Sequence, residues 1–506
     1  MNYILIFALL LGTACPICQG AGDKHQIIAY PPVPTAIKSD IYQVKVNSRE
    51  TASQEPIDVF VQKFKDIHYA HFAIPEMQSK DRQIDITIEV TEPIRKYSIS
   101  PESYQTPAGV CDNHLHILIR QPRKLVIQIN DYPRLFIFAD AIEDDRPAPD
   151  NPNVINIMDF VGTQRGVRPV DNTGTTLITE KIQKAIRSTP SGGTLYFPPG
   201  VYLTGTIRLK SNMTLYLAAG ALLQGSPDVN DYPLDEGRIE AGTHGDMTYS
   251  RLILIDNAQN VTITGAGTID GNGKIIRAAG RNANLIRIRN CQNILIENVI
   301  LRDPAAWNTH ILHSKNVTIK NVKIINDRTV GNTDGINPDS SSNVLIENNF
   351  AYCGDDSIAI KTTGNSDLLA DVNNITVAAN ILLTRKSALK IGTETLANHI
   401  QNVTFIDNDI IECDRGMTIY CKDGAIITNI RYINNRFESC FLNNRQRMLD
   451  FYIKKRAGLG QIRNILIKDC RFKTFFPQSS TIAGYDQNHL ISDIRFENFY
   501  LSLIHI

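Results

Sequence analysis

The sequence predicts an all-β chain: a right-handed parallel β-helix preceded by a small β-sandwich. Between Asp23 and about Asp150, short runs alternate apolar and polar side chains without repeating, which marks strands with one buried face. From Asn212 onward a four-residue template of Asn, apolar, variable, apolar recurs at intervals near one coil of a β-helix. No helical segment is expected between those repeats, which argues against a βα barrel.

The chain has 506 residues, with 52 Lys and Arg against 52 Asp and Glu, so no basic footprint points to a nucleic-acid partner. Residues Asn2 to Ala14 are almost wholly apolar and lack Lys or Arg. The run is too short to cross a bilayer and reads as the core of an export signal over 1–22, giving a secreted or periplasmic protein. Gly12-Thr13-Ala14-Cys15 is an alternative lipid-attachment box, and Gln19-Gly20-Ala21 an alternative cleavage region. No later stretch is expected to span a membrane. Seven of the nine cysteines lie beyond the signal, without close CxxC pairs, which argues against a zinc site or a full disulfide framework.

Residues 23–150 are read as the sandwich domain. Its strands are expected at Ile41–Val46, Ile57–Val61, Ile84–Val90, Leu115–Ile119 and Leu125–Ile129, separated by turns containing Pro, Gly and Asn. His68, His71, His114 and His116 read as packing residues rather than metal ligands. The domain either binds sugar or braces the β-helix, and bracing is the favoured reading. The charged, Pro-rich stretch from Asp144 to Pro152 is a linker. Thr176 to Ser188 carries Leu177, Ile178, Ile182, Ala185 and Ile186 at helical spacing, and a helix there would cap the open end of the repeat.

Residues 151–506 are read as the β-helix. The template begins at Asn212, Asn260, Asn293, Asn316, Asn343, Asn374, Asn402, Asn429 and Asn464, with Asp493 continuing it. From Asn293 the intervals are 23, 27, 31, 28, 27 and 35 residues, irregular because loops are inserted. The apolar positions point inward, while Asn at the bend tolerates left-handed backbone and can bond the turn. Cys291, Cys353, Cys413, Cys440 and Cys470 recur near coil corners as small buried side chains. Leu501 to Ile506 is apolar, and whether that end is capped stays open.

Asn332-Thr333-Asp334-Gly335 and Gly354-Asp355-Asp356 place three carboxylates about one coil apart. Stacked strands lie about 4.8 Å apart, so these groups should cluster on one face. Glycosidic cleavage needs one protonated carboxyl and one ionised carboxylate, and crowding like charges raises one pKa to supply the acid. The bland alternative is a solvated turn.

These residues resemble glycoside hydrolase family 28, the polygalacturonase-like enzymes of pectin breakdown. The likeness runs from about Asp159 onward through Gly192-Gly193-Thr194-Leu195-Tyr196-Phe197-Pro198-Pro199-Gly200, Leu215-Tyr216-Leu217, Gly265-Ala266-Gly267-Thr268-Ile269-Asp270-Gly271 and the two Asp motifs. The resemblance implies Asp355 as general acid, and Asp334 with Asp356 positioning and deprotonating water in an inverting hydrolysis that uses no metal or other cofactor. Two departures stand out. Lys386-Ser387-Ala388 occupies the place of the family's Gly-His-Gly, and Thr418-Ile419-Tyr420 the place of its uronate-gripping Arg-Ile-Lys.

Asn332, Trp307, His310, Lys390, Arg415 and Tyr420 are the candidate sugar contacts. Lys361, Lys390, Arg415 and Lys422 are the cations that could replace the missing grip, and Trp307, the single tryptophan, could stack on a sugar ring. The expected function is exported hydrolysis of a pectic polysaccharide of the plant cell wall. Two alternatives stay open: a hydrolase of neutral glycans, resembling the dextranase-like β-helix enzymes, and a non-catalytic glycan-binding β-helix.

Overall fold

A computed structural model describes residues 26–48, 55–75, 83–144, 146–148, 150–161, 172–234, 249–363, 368–440, 446–474 and 478–501. The expected signal at 1–22, Cys15 included, and residues 502–506 lie outside these. Among the described residues, no helix is long and apolar enough to cross a membrane.

The first part of the chain forms two sheets, of seven and five strands. Gln43–Ser48, Ile84–Glu89 and His114–Ile119 pair antiparallel and alternate buried with less buried residues, so one face meets the core. Ile67–Ile74 and Leu135–Ala141 behave differently. They pair in parallel, and Ile67–Ile74 is buried at every position. One face, with Phe72, Ile74, Leu135 and Ile137, fills the sandwich core. The other, with Ile67, Tyr69, Phe136 and Phe138, packs on Ile300, Ile325, Phe350, Tyr352, Ile381 and Leu383 of the β-helix. Each such aromatic or aliphatic side chain contributes about 1.5–3 kcal/mol on burial, so the two parts are firmly joined.

Among the described residues, the β-helix consists of three parallel sheets of twelve, eleven and ten strands. The template strands form the twelve-stranded sheet, and every template Asn from Asn212 to Asn464, with Asp493, has positive φ. From Asn212 to Asn374 the side chains bond one another rather than the turn backbone. Asn260 donates to Asn212 (2.8 Å), Asn293 to Asn260 (3.0 Å), Asn316 to Asn293 (3.1 Å), Asn343 to Asn316 (3.0 Å) and Asn374 to Asn343 (2.9 Å). A second, buried row, Asn349, Asn380, Asn408 and Asn435, does bond backbone, donating to the strand carbonyls of Ile319, Ile346, Val377 and Phe405. Cys291, Cys353, Cys413 and Cys470 are buried.

The helix expected near the first coil spans Thr179–Ser188, and its Ile182, Ala185 and Ile186 close the core against residues of the first coils. A short helix, Gly273–Ala278, also lies between two coil strands where none was expected. It occupies a loop and leaves the parallel register on either side intact.

Candidate active site

The three carboxyls sit at the turns that lead into the ten-stranded sheet. Adjacent coils meet there with almost no clearance: a Cβ on Gly335 would lie 2.4 Å from the Ser357 carbonyl, and one on Gly354 would lie 2.5 Å from Thr333 Oγ1. The glycines beside the aspartates therefore let the turns stack, and the amide of Gly335 donates to the Asp356 carbonyl (2.9 Å).

Asp334 is buried. Its Oδ2 accepts from Asn337 Nδ2 (2.9 Å) and lies 3.2 Å from Lys361 Nζ. Asp356 is equally buried: Oδ1 accepts from the Ser387 amide (3.0 Å) and Oδ2 from Lys390 Nζ (2.5 Å). Asp355 keeps exposed surface, and among the described residues its carboxyl receives backbone amides, those of Asp356 (2.9 Å) and Asn332 (3.3 Å). The Thr384 hydroxyl donates to the Asp355 carbonyl and fixes its backbone.

These surroundings divide the three groups. Burial, which Lys361 opposes and Asp355 and Asp356 reinforce, pushes Asp334 up to about 7. Burial and the neighbouring Asp356 raise Asp355 as well. At Asp356 burial is outweighed by Lys390, Arg415 and Lys361, and its pKa falls to about 2. Asp334 and Asp355 thus titrate as a pair that retains a proton into the neutral range. Ammonium and carboxamide donors face the Asp334 carboxyl, and backbone amides face that of Asp355.

Residues 232–476 match the family Glycosyl hydrolases family 28. That stretch, just under half of the chain, is similar to the family. Over 205 residues the chain is 35% identical to a probable polygalacturonase of Vitis vinifera, spanning 37% of this chain and 42% of that relative. The chain thus matches less than half of that relative's length. Two crystal structures share its fold. An exopolygalacturonase from Thermotoga maritima has a TM-score of 0.57 at 23% identity, covering 70% of this chain and 88% of that one. Dex49A from Penicillium minioluteum has a TM-score of 0.56 at 14% identity, covering 92% and 96%.

Several expected sugar contacts are committed elsewhere. His310 has no accessible surface: Nδ1 accepts from Arg287 Nε (3.2 Å) and Nε2 faces Asp339 Oδ2 (2.9 Å). Burial lowers its pKa to about 4, so the ring is neutral and orders its neighbours instead of donating to a sugar. Its ring edge supports Trp307, with centroids 4.9 Å apart. Trp307 is only 7% exposed, and Lys361 Nζ sits 4.2 Å from its ring centroid, so it is not an open stacking platform. Lys390 is spent on Asp356, and Lys361 on Asp334 and Glu394 (3.6 Å). Arg415 Nε donates to Ser387 Oγ (3.0 Å) and thereby braces the segment that holds Asp356.

Asn332 and Tyr420 flank the carboxyls. Asn332 Oδ1 accepts from Arg277 Nη2 (3.1 Å) of the short inserted helix, a contact no periodicity signalled. The Tyr420 ring lies 5.5 Å from Lys390 Nζ and stacks on Tyr452 at 4.1 Å between centroids, and its hydroxyl donates to Asp450. Lys422 Nζ is 5.8 Å and 5.5 Å from these two rings, and Lys454 Nζ is 4.7 Å from that of Tyr452. Burial, then Arg456, Lys454 and Lys390, lower the Lys422 pKa.

Proposed function

We propose that the chain is an exported, inverting glycoside hydrolase that cleaves a pectic, polygalacturonan-like polysaccharide. The observation that carries this reading is the unequal environment of three clustered carboxyls: Asp355 is partly exposed, Asp334 is raised to about 7 and shares a retained proton with it, and Asp356 is held as an anion by Lys390. Asp355 gives its proton to the glycosidic oxygen as the bond to the anomeric carbon breaks. Asp356, assisted by Asp334, takes a proton from a water that attacks that carbon from the opposite face. One carboxyl loses a proton, another gains one, and the products are two free sugar ends. Lys390 keeps the accepting carboxylate of Asp356 ionised, and no metal or cofactor enters.

The pectic assignment leans on Lys422 and Lys454. Like cations crowded beside two tyrosines leave a positive field that a uronate carboxylate would relieve. The neutral-glycan reading is favoured by the internal pairing of Lys361 and Lys390, which removes two of the four expected uronate-binding cations. Reducing-sugar release from polygalacturonate, rhamnogalacturonan and dextran, with Asp355→Asn as control, tests both. Release from polygalacturonate alone supports the pectic reading, release from dextran alone the neutral one. Equal release by the variant would refute the assigned acid. Export through residues 1–22 is part of the same proposal and is checked by the N-terminal sequence of the mature protein.

A further inference from the structure

The turn between strands Val61–Phe64 and Ile67–Ile74 of the N-terminal sheet reaches the loops behind the carboxyl cluster. Lys65 Nζ lies 3.0 Å from Asp303 Oδ2 and 3.6 Å from Asp327 Oδ2, both buried. Asp66 accepts from the Tyr352 hydroxyl (2.7 Å), and the Tyr352 ring lies under the Arg328 guanidinium (4.7 Å). Arg328 also donates to Glu412 (2.6 Å), whose other oxygen is held by Arg134 (2.6 Å) from the N-terminal sheet.

Asp303 opens the segment that carries Trp307, and Asp327 opens the one that carries Asn332 and Asp334. The two segments are bonded to each other. Asn308 Nδ2 donates to Asn326 Oδ1 (2.9 Å), Asn326 Nδ2 to the Thr333 carbonyl (2.9 Å), and the Asn308 amide to the Asp334 carbonyl (2.9 Å). A displacement at Asp303 or Asp327 is therefore passed to Asp334. Burial and the repulsion of Asp270 and Asp327 act on Asp303, and Lys65 opposes them.

We propose that Lys65 is a positioning residue. Its ammonium ties Asp303 and Asp327 together, so the N-terminal sheet sets the Trp307 and Asp334 loops without touching substrate. The kinetic part of this proposal rests on the hydrolase reading above; the spectroscopic part does not. Trp307 is the only tryptophan in the chain, so its emission reports the loop directly.

The experiment compares full-length wild type, Lys65→Met, Lys65→Arg and Lys65→Met with Asp303→Asn by acrylamide quenching of Trp307 and by steady-state kinetics on polygalacturonate. Lys65→Met should red-shift the emission, raise the quenching constant and lower kcat about 10- to 100-fold with a smaller change in KM. Lys65→Arg should restore both readouts. So should Asp303→Asn in the Lys65→Met background, because it removes the charge left facing Asp327, and it serves if Lys65→Met alone folds poorly. Wild-type quenching in Lys65→Met, or equal disturbance in all three variants, would overturn the proposal. A wild type that cleaves none of the glycans would refute the hydrolase reading while the quenching comparison still decides the role of Lys65.

Discussion

Asp140 and Asp334 are both buried, and their pKa values move in opposite directions. Asp140 sits at the junction of the N-terminal sheet and the β-helix. It is paired with Lys323 and with His71 (2.7 Å), and Lys124 adds a further positive charge. Burial is outweighed there, and the carboxyl is held well below its ordinary range. Asp334 has Lys361, but Asp355 and Asp356 stand beside it. Burial alone does not make a carboxyl a proton carrier; the local ratio of anions to cations does. Where cations are in excess the group is locked as an anion, and where carboxyls are in excess a proton stays within reach of neutral pH.

The largest test of that contrast is Asp355→Asn, expected to lower kcat by about 10²–10⁴-fold. It should leave the urea midpoint unchanged or higher, because it removes one of the crowded charges. Asp140→Asn should do the reverse. It strands Lys323 and Lys124 in the interior and should cost about 3–5 kcal/mol of stability in urea denaturation, while the folded fraction keeps its turnover.

The pH dependence separates the two carboxyls as well. The rate should fall as pH rises through about 7, where the Asp334–Asp355 pair loses its last proton. Lys390→Met should move the acid limb upward, because Asp356 loses the cation that holds it near 2. Stability obeys the same logic. Asp334 is raised from the ordinary 3.8, so its contribution is fully present below that value and declines as pH climbs toward 7. Asp140 is depressed, so its contribution is whole above about 3.8 and is lost only as pH falls further. Urea midpoints of Asp334→Asn and Asp140→Asn across pH 3–8 check both signs. The smallest effect is at the rim: Lys422→Met should raise KM on polygalacturonate about fivefold or less and leave dextran unaffected.

The parts of this molecule that repeat were legible in the sequence. Each template Asn marked a left-handed turn, and the spacing of Asp334 to Asp355 and Asp356 marked adjacent coils. The sandwich strands Gln43–Ser48, Ile84–Glu89 and His114–Ile119 were legible for the same reason, whereas the expected strand Ile57–Val61 is divided between two sheets. Ile67–Ile74 and Leu135–Ala141 were not legible, because burial on both faces erases the alternation that identifies a strand. Within the site, the carboxyls were readable as a motif but their partners were not. Lys361 and Lys390 looked like free cations for a uronate, and His310 like a donor, because nothing local records which neighbour a side chain meets one coil away. Lys65 and Arg134 are separated from the loops they hold by hundreds of residues, and no spacing rule reaches that far.

The exposed asparagine row also has a polarity. Each side chain from Asn260 to Asn343 donates its amide N–H toward the preceding coil and offers its oxygen to the coil after it, and Asn374 donates in the same sense. The column is therefore a one-way relay of aligned dipoles, in which neighbours polarise one another. An aspartate placed in it could still receive from the coil after but could pass nothing to the coil before. Asp493 stands at the template position next after Asn464, where its carboxylate, with no N–H to give, can only accept.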